Sequence, residues 1–444
     1  MSRVLVFGSG MSAIANSIVA HNHGLKVDIY DSNGTFASGW GSDNINLCKK
    51  IYKLDKGIRL PVSVSEEYDK YLFNDDIYNK INWFKADSFM SEAILHKDFF
   101  NIGSSCLDLR RLNLDLKDLN HKLNTYDKLI ENEEDRLTKT YGEEITKNVF
   151  KKICLKRFGI PLDQIAPFGI EGLVPKRFVL GDQELIEKRF GLHSKINQIT
   201  AHLDLSQVPN SKQINYPHNT SVDSWINLLR DNLISKGINI DENFSDIESI
   251  QKSKNNYDIL FKNGTKKTYD KIFWSKPFLF LPQKLGYKEI FNLKDLNFRI
   301  FKTAHLLLDH EVSHKKQYVL NFEKPWNLHR AIFWQNLPFK SFKENIVTLE
   351  LQYLKGQDDN QIDIELIKSN LENYGLLPKN TKVLDYKFIN TKTMIPIITI
   401  DKYYKMAKYE KKIKKNFKGL YFSSTGGIKF LDGLFKDAEE YFKT

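Results

Sequence analysis

Cysteine is scarce in this chain: Cys48, Cys106 and Cys154 are widely spaced and form no paired motif. That spacing argues against a disulfide framework and against a cysteine-built zinc site, so no metal is expected. Long apolar runs are missing too, and no stretch approaches the roughly 20 residues a membrane-spanning helix needs. The first residues lack the basic segment and apolar core of a secretory signal, which makes the cytoplasm the expected location. H-E-x-x-H, G-x-S-x-G and Walker motifs are all absent. Zinc hydrolysis, esterase chemistry and P-loop phosphoryl transfer therefore have no support.

What is present describes a folded, lysine-rich chain. Apolar residues make up 41% and aromatics 13% of 444 residues, enough for a sizeable core and too much for disorder. The net charge of +11 is carried mainly by lysine. The densest run, KYYKMAKYEKKIKKNFK from Lys402 to Lys418, spaces Lys405, Lys408, Lys411, Lys412 and Lys415 along one helical face. A solvated helix accounts for it, and a peripheral contact with an anionic membrane is the alternative. No nucleic-acid-binding module is visible, so nucleic acid is not an expected partner.

The most informative stretch is VLVFGSGMSAIANSIVAHNHGLKVDIYDS, Val4 to Ser32. RVLVF is nearly all apolar, as a strand buried on both faces requires. Gly8 permits the tight turn, Gly10 lets the backbone approach a pyrophosphate, and Ala13 keeps helix and strand close. The helix beginning at Met11 and Ser12 presents free N–H groups and the positive end of its dipole to an anion. Its apolar positions are 11, 14, 15, 18 and 19, and Gly24 stops it. A second strand ends at Asp31, beside Ser32 and 21 residues past Gly10. A carboxylate there can accept hydrogen bonds from ribose hydroxyls. The pattern predicts an ADP-binding βαβ unit, with a doubly wound fold that merely packs small residues as the alternative.

Similar signals recur later. A helix is expected over Val222 to Lys236, then a hairpin turning at Asn263-Gly264 and a strand ending at Trp274. Near the C-terminus, GLYFSSTGGIKFLDGLFKDAEEYFKT reads as strand, glycine turn at Gly426 and Gly427, and helix. Residues 62–214 read as mainly helical, and residues 298–400 as strands with one helix near Ile362 to Tyr374.

In this order the chain resembles the FAD superfamily that includes amine oxidases, protoporphyrinogen oxidase, carotenoid desaturases and UDP-galactopyranose mutase. The resemblance covers most of the chain. It implies an α/β fold: a discontinuous Rossmann-type, GR2-like FAD-binding domain interleaved with an α+β substrate domain. The expected division is FAD-binding segments 1–61, 215–297 and 415–444, a helical cap 62–214 and a substrate-domain sheet 298–414. The post-acid glycines of the family correspond to Gly39 and Gly41, here separated by Trp40. IYKLDKGIRLP, with Asp55, Gly57 and Arg59, resembles the segment reaching the isoalloxazine edge. The C-terminal segment departs from the family, with Ser423, Ser424 and Thr425 before Gly426 in place of a Gly-Asp or Gly-Arg pair.

The resemblance further implies FAD as cofactor and a lysine, Lys302, that holds a water against flavin N5; a solvent-facing strand lysine is the alternative. Arg59, Arg177 and Arg330 are candidates for binding a diphosphate or carboxylate bidentately. Tyr403 and Tyr404 are candidates for stacking on a sugar or flavin, with core packing the alternative. The function expected is an FAD-dependent oxidoreductase acting on a small molecule. A mutase-like flavoenzyme acting on a nucleotide sugar is the second reading, and a flavin-binding protein without catalysis the third.

Overall fold

The computed structural model describes residues 2–32, 34–57, 61–86, 92–96, 99–101, 107–112, 130–170, 174, 178–181, 184–185, 188, 200–201, 214–218, 220–288, 296–312, 314–322, 327–337, 342–354, 356–357, 362–390, 394–423 and 431–442. Its first strand, β1 (Arg3–Phe7), has no solvent face beyond its opening residue. Val4 and Val6 enter one core and Leu5 and Phe7 another, all at 0% exposure. Burying each such side chain is worth about 1.5–3 kcal/mol, which forces β1 into the middle of a layered structure.

The sheet around it is parallel throughout. β1 lies between β2 (Lys26–Tyr30) and β6 (Lys271–Trp274); β5 (Asn239–Asp241) flanks β2, and β12 (Leu420–Phe422) flanks β6. Helices α1 (Met11–Asn22), α4 (Val222–Ser235) and α7 (Leu431–Glu440) supply the core on the side of Val4 and Val6. The other side is filled by an antiparallel layer, 247–269, and by Met406 and Ile413 of α6 (Ile400–Asn416). Lys405, Lys408, Lys411, Lys412 and Lys415 stay exposed on α6. α1 is buried more widely than its five-position stripe implies, because α7 covers the side turned away from the sheet.

An eight-stranded sheet forms the second unit. Its central strands are β7 (Asn297–Leu308), β10 (Asn345–Leu354), β9 (Leu328–Phe333) and β8 (Tyr318–Asn321), antiparallel in that spatial order. β11 (Val383–Ile389), which the sequence reading does not list, pairs with the outer side of β7. Residues 92–96, inside the segment expected to be mainly helical, add a strand parallel to β8. One face of this sheet packs on α5 (Ile364–Asn373). The opposite face meets the hairpin of β3 (Ser42–Leu47) and β4 (Lys50–Asp55), through Ile45, Leu47, Tyr52 and Leu54 against Leu307, Ile332, Trp334 and Ile346.

Two helices, α2 (Glu133–Ile145) and α3 (Lys151–Phe158), close the end of that same face. α3 stops at Gly159 in the left-handed region, φ 67°, beside Leu354 at the end of β10. No helix among the described residues is long and apolar enough to cross a membrane.

Gly8 turns the chain out of β1 at φ +123°, where an added Cβ would sit 3.3 Å from the Ser275 side chain. Gly8→Ala is therefore expected to destabilise the protein by more than about 1 kcal/mol, read as a lower urea midpoint with an unchanged slope.

Candidate functional site

The site begins where β1 ends. Gly10 precedes α1 with extended backbone, φ −75° and ψ 178°, and no side chain caps the helix start. The first turn holds no acidic residue, so among the described residues no side-chain charge offsets its N–H groups and dipole. A Cβ added to Gly10 would meet nothing within 4 Å, and the same holds at Gly39. Met11 and Ala13 are buried and Ser12 is half-buried. The space over Gly10 suits a phosphate-bearing group whose oxygens need close backbone approach.

Asp31, at the end of β2, is buried and well supplied with donors. Its Oδ2 accepts from Ser9 Oγ at 2.6 Å and its Oδ1 from the Ser32 N–H at 2.7 Å, and Lys276 Nζ lies 2.9 Å from that same Oδ1. Lys276 also reaches Ser32 Oγ at 3.3 Å. A ribose hydroxyl arriving at Asp31 would share this carboxylate with Lys276, a residue that sequence reasoning did not single out.

Gly41 leads from the short turn 38–40 into β3 and its carbonyl accepts from Lys56 N–H at 2.9 Å. Next to it, Ser42 Oγ donates to Asp55 Oδ1 at 2.5 Å, and the Val222 N–H at the start of α4 reaches the same oxygen at 3.2 Å. Asp55 Oδ2 is buried without a hydrogen-bond partner among the described residues. Burial, with a smaller push from Asp223, raises the Asp55 carboxyl to about 7.

Two residues on, Gly57 (φ +98°) abuts a charged fork. A Cβ there would lie 2.9 Å from both Arg330 Nη2 and Glu350 Oε1. Arg330 donates to Glu350 through Nε at 3.0 Å and Nη2 at 2.5 Å. A register shift in β9 between Leu328 and Arg330 inserts His329 beside Arg330, the device by which a bulge re-aims side chains. His329 edges Phe301 at 5.3 Å.

Strand parity assigns the rest. Residues 299, 301, 303 and 305 of β7 lie opposite 354, 352, 350 and 348 of β10, on the face that carries Arg330 and Glu350. Arg299, His305, Glu350 and Gln352 therefore share this face with the end of α3. Lys302 does not. It pairs with Leu351 on the opposite face, where its ammonium lies 5.9 Å from the Tyr353 ring. The water-holding position expected of Lys302 is thus not brought to the Arg330–Glu350 fork, because a shift of one residue along a strand exchanges faces.

Arg59, Arg177, Gly426 and Gly427 lie outside the described residues. Tyr403 and Tyr404 form an edge-on pair at 5.7 Å at the start of α6, Tyr403 half-buried and Tyr404 exposed. Among the described residues, no group of three His, Cys, Asp or Glu side chains is placed to hold a metal ion.

No family model matches the chain, and no curated protein does. Solved structures do match. A reduced UDP-galactopyranose mutase aligns with TM-score 0.66 and 16% identity over 99% of this chain and 93% of its own. A putrescine oxidase triple mutant redesigned in cofactor binding aligns at 0.57 and 10%, over 100% and 98%. A fatty acid isomerase from P. acnes, producing CLA, aligns at 0.56 and 13%, again over 100% and 98%. The likeness resembling UDP-galactopyranose mutase and amine oxidases in sequence order is therefore a likeness of fold along the whole chain.

Asp55 gives a pH signature. Its folded-state pKa lies above the ordinary 3.8, so the stability it contributes is complete below that value and is lost as pH rises through about 7. Asp55→Asn should remove this loss, raising stability by roughly 2–4 kcal/mol relative to wild type above neutrality and leaving it little changed in acid. Thermal midpoints across that pH range check it.

Proposed function

We propose that the chain is an FAD-dependent enzyme. Its parallel sheet is read as a Rossmann-type, GR2-like nucleotide-binding domain assembled from segments 1–61, 215–297 and 415–444. The eight-stranded sheet and the helices around it are read as the substrate domain. The observation carrying this reading is the turn from Gly8 to Gly10: a strand buried on both faces, open space over Gly10, and an uncapped helix start beyond it.

The residues fit the cofactor. Gly10, Met11 and Ser12 would hold the pyrophosphate with backbone N–H groups, and Asp31 with Ser32 would hold the ribose. Gly39, Gly41 and Gly57 would line the path toward the ring. FAD so held supplies a hydride acceptor for oxidation of a small-molecule C–H. The chain's own part is to seat the substrate against the face of β7, β9 and β10 and to keep water from it. Arg330, locked by Glu350, fixes one wall of that seat.

A mutase-like or isomerising reaction on a nucleotide sugar is the second reading. It is favoured by the two neighbours named as a mutase and an isomerase, and by Lys302 lying on the far face from Arg330. Anaerobic bleaching of the flavin by an added small-molecule substrate supports the oxidoreductase. Turnover of a UDP-sugar only after pre-reduction supports the mutase.

The purified protein is expected to show a flavin absorption spectrum and to release FAD on heating. A colourless protein that takes up no added FAD would sink the reading. Gly10→Ala sharpens the test, because a methyl there meets no protein atom. The urea midpoint of the cofactor-free protein should stay unchanged while FAD retention falls roughly tenfold or more; equal loss of both would mean that Gly10 serves packing alone.

A further inference from the structure

The strongest unexplained feature lies at the far end of the same face. Arg299, near the start of β7, is 1% exposed, and its Nε and Nη2 have no hydrogen-bond acceptor among the described residues. Its guanidinium lies 5.0 Å from the Phe158 ring centre and 5.5 Å from that of Phe301. Arg157, in the last turn of α3, is 4% exposed and stands 4.2 Å over Phe322. Its carbonyl accepts from Gln352 Nε2 at 2.5 Å, which fastens α3 to β10. His329 adds an Nδ1 that is buried without a hydrogen-bond partner among the described residues.

Among the described residues, no acid is paired with Arg299. Glu133 is gripped by Arg136 at 2.8 and 2.6 Å and by the Phe168 N–H at 2.6 Å. Glu350 is held by both arms of Arg330. Burial, then Glu133, pushes the Cys154 thiol well up, so it stays neutral. Burial alone brings Arg299 down to about 10, still protonated at neutral pH. Burial and then Arg299 push Arg157 down, and burial followed by the three arginines pushes His329 down. A buried charge without a counterion costs several kcal/mol.

We propose that Arg299, with Arg157 and His329 beside it, forms an occluded oxyanion-binding site that takes the phosphate or carboxylate group of the substrate. A guanidinium presents a planar fork matched to such a group. Arg330 has turned its fork to Glu350, whereas Arg299 has kept its own for a ligand. The aromatic walls of Phe158, Phe301 and Phe322 exclude water and strengthen the charge-assisted bonds. As a substrate contact the site rests on the flavoenzyme reading; as an anion site it is testable without it.

The probes are inorganic phosphate and acetate, titrated into the purified protein at constant ionic strength with chloride as the balancing salt. The thermal midpoint is expected to rise saturably, as ligand binding to the folded state requires. Saturation with phosphate points to a phosphorylated substrate, and with acetate alone to a carboxylate. Arg299→Met should abolish the rise. Should that variant fail to fold, Arg299→Lys keeps the charge, loses the fork, and should weaken the apparent affinity by roughly tenfold or more. No saturable rise with either anion, or a rise unchanged in Arg299→Lys, overturns the proposal. Flavin absorbance of the same samples, before and after added FAD, separates the two readings: an Arg299-dependent rise in a protein that neither carries nor takes up flavin would sink the FAD reading and leave the anion site standing.

Discussion

The constraint on which the architecture depends is the two-sided burial of β1. Because Val4 and Val6 enter one core and Leu5 and Phe7 another, neither face of the strand can meet water. The parallel sheet must then be covered by α1, α4 and α7 on one side and by the antiparallel layer with α6 on the other. Between its two covered faces, the central strands leave mainly their ends accessible. The carboxyl ends of open parallel sheets are where ligands bind, and here those ends carry Gly8, Gly10, Asp31 and Lys276. The candidate site is thereby directed to one rim of this sheet before any side-chain chemistry is considered.

The β3–β4 hairpin carries that rim to the second sheet. Its inner residues pack on β7, β9 and β10, and its last residue, Asp55, is tied to Ser42 and to the start of α4. Gly57 then passes so close to Arg330 and Glu350 that no larger residue fits without displacement. The parallel sheet and the eight-stranded sheet are therefore joined by tight packing and a buried carboxylate.

Much of the first half was legible in the sequence because its signals are local. The glycines, Ala13 and Asp31 lie within one βαβ unit, and Asn263-Gly264 marks a turn by its own chemistry, with Gly264 at φ 82°. The second half was legible as strands but not as a site. Arg157, Arg299, Arg330 and Glu350 come from four separated elements, and single-sequence periodicity carries no information on their convergence. Lys302 shows the limit most sharply: its strand was recognised, but which face it occupies follows from the pairing of β7 with β10. The register shift at His329 is equally invisible, since one extra residue leaves the apolar pattern of β9 almost unaltered. The strand at 92–96 was hidden by its neighbours in a mostly polar region.

The same sheet draws strands from both ends of the chain, with consequences for its assembly. β6 pairs with β1 on one side and with β12 on the other, so its second edge has no partner until residues 420–422 have left the ribosome. Until then the growing protein carries an open, apolar strand edge, the feature most prone to pairing with another molecule. Closure of a loop that long makes folding slow relative to chains with local contacts. Closure of this sheet therefore waits on residues 420–422, and products truncated before them lack the strand that flanks β6.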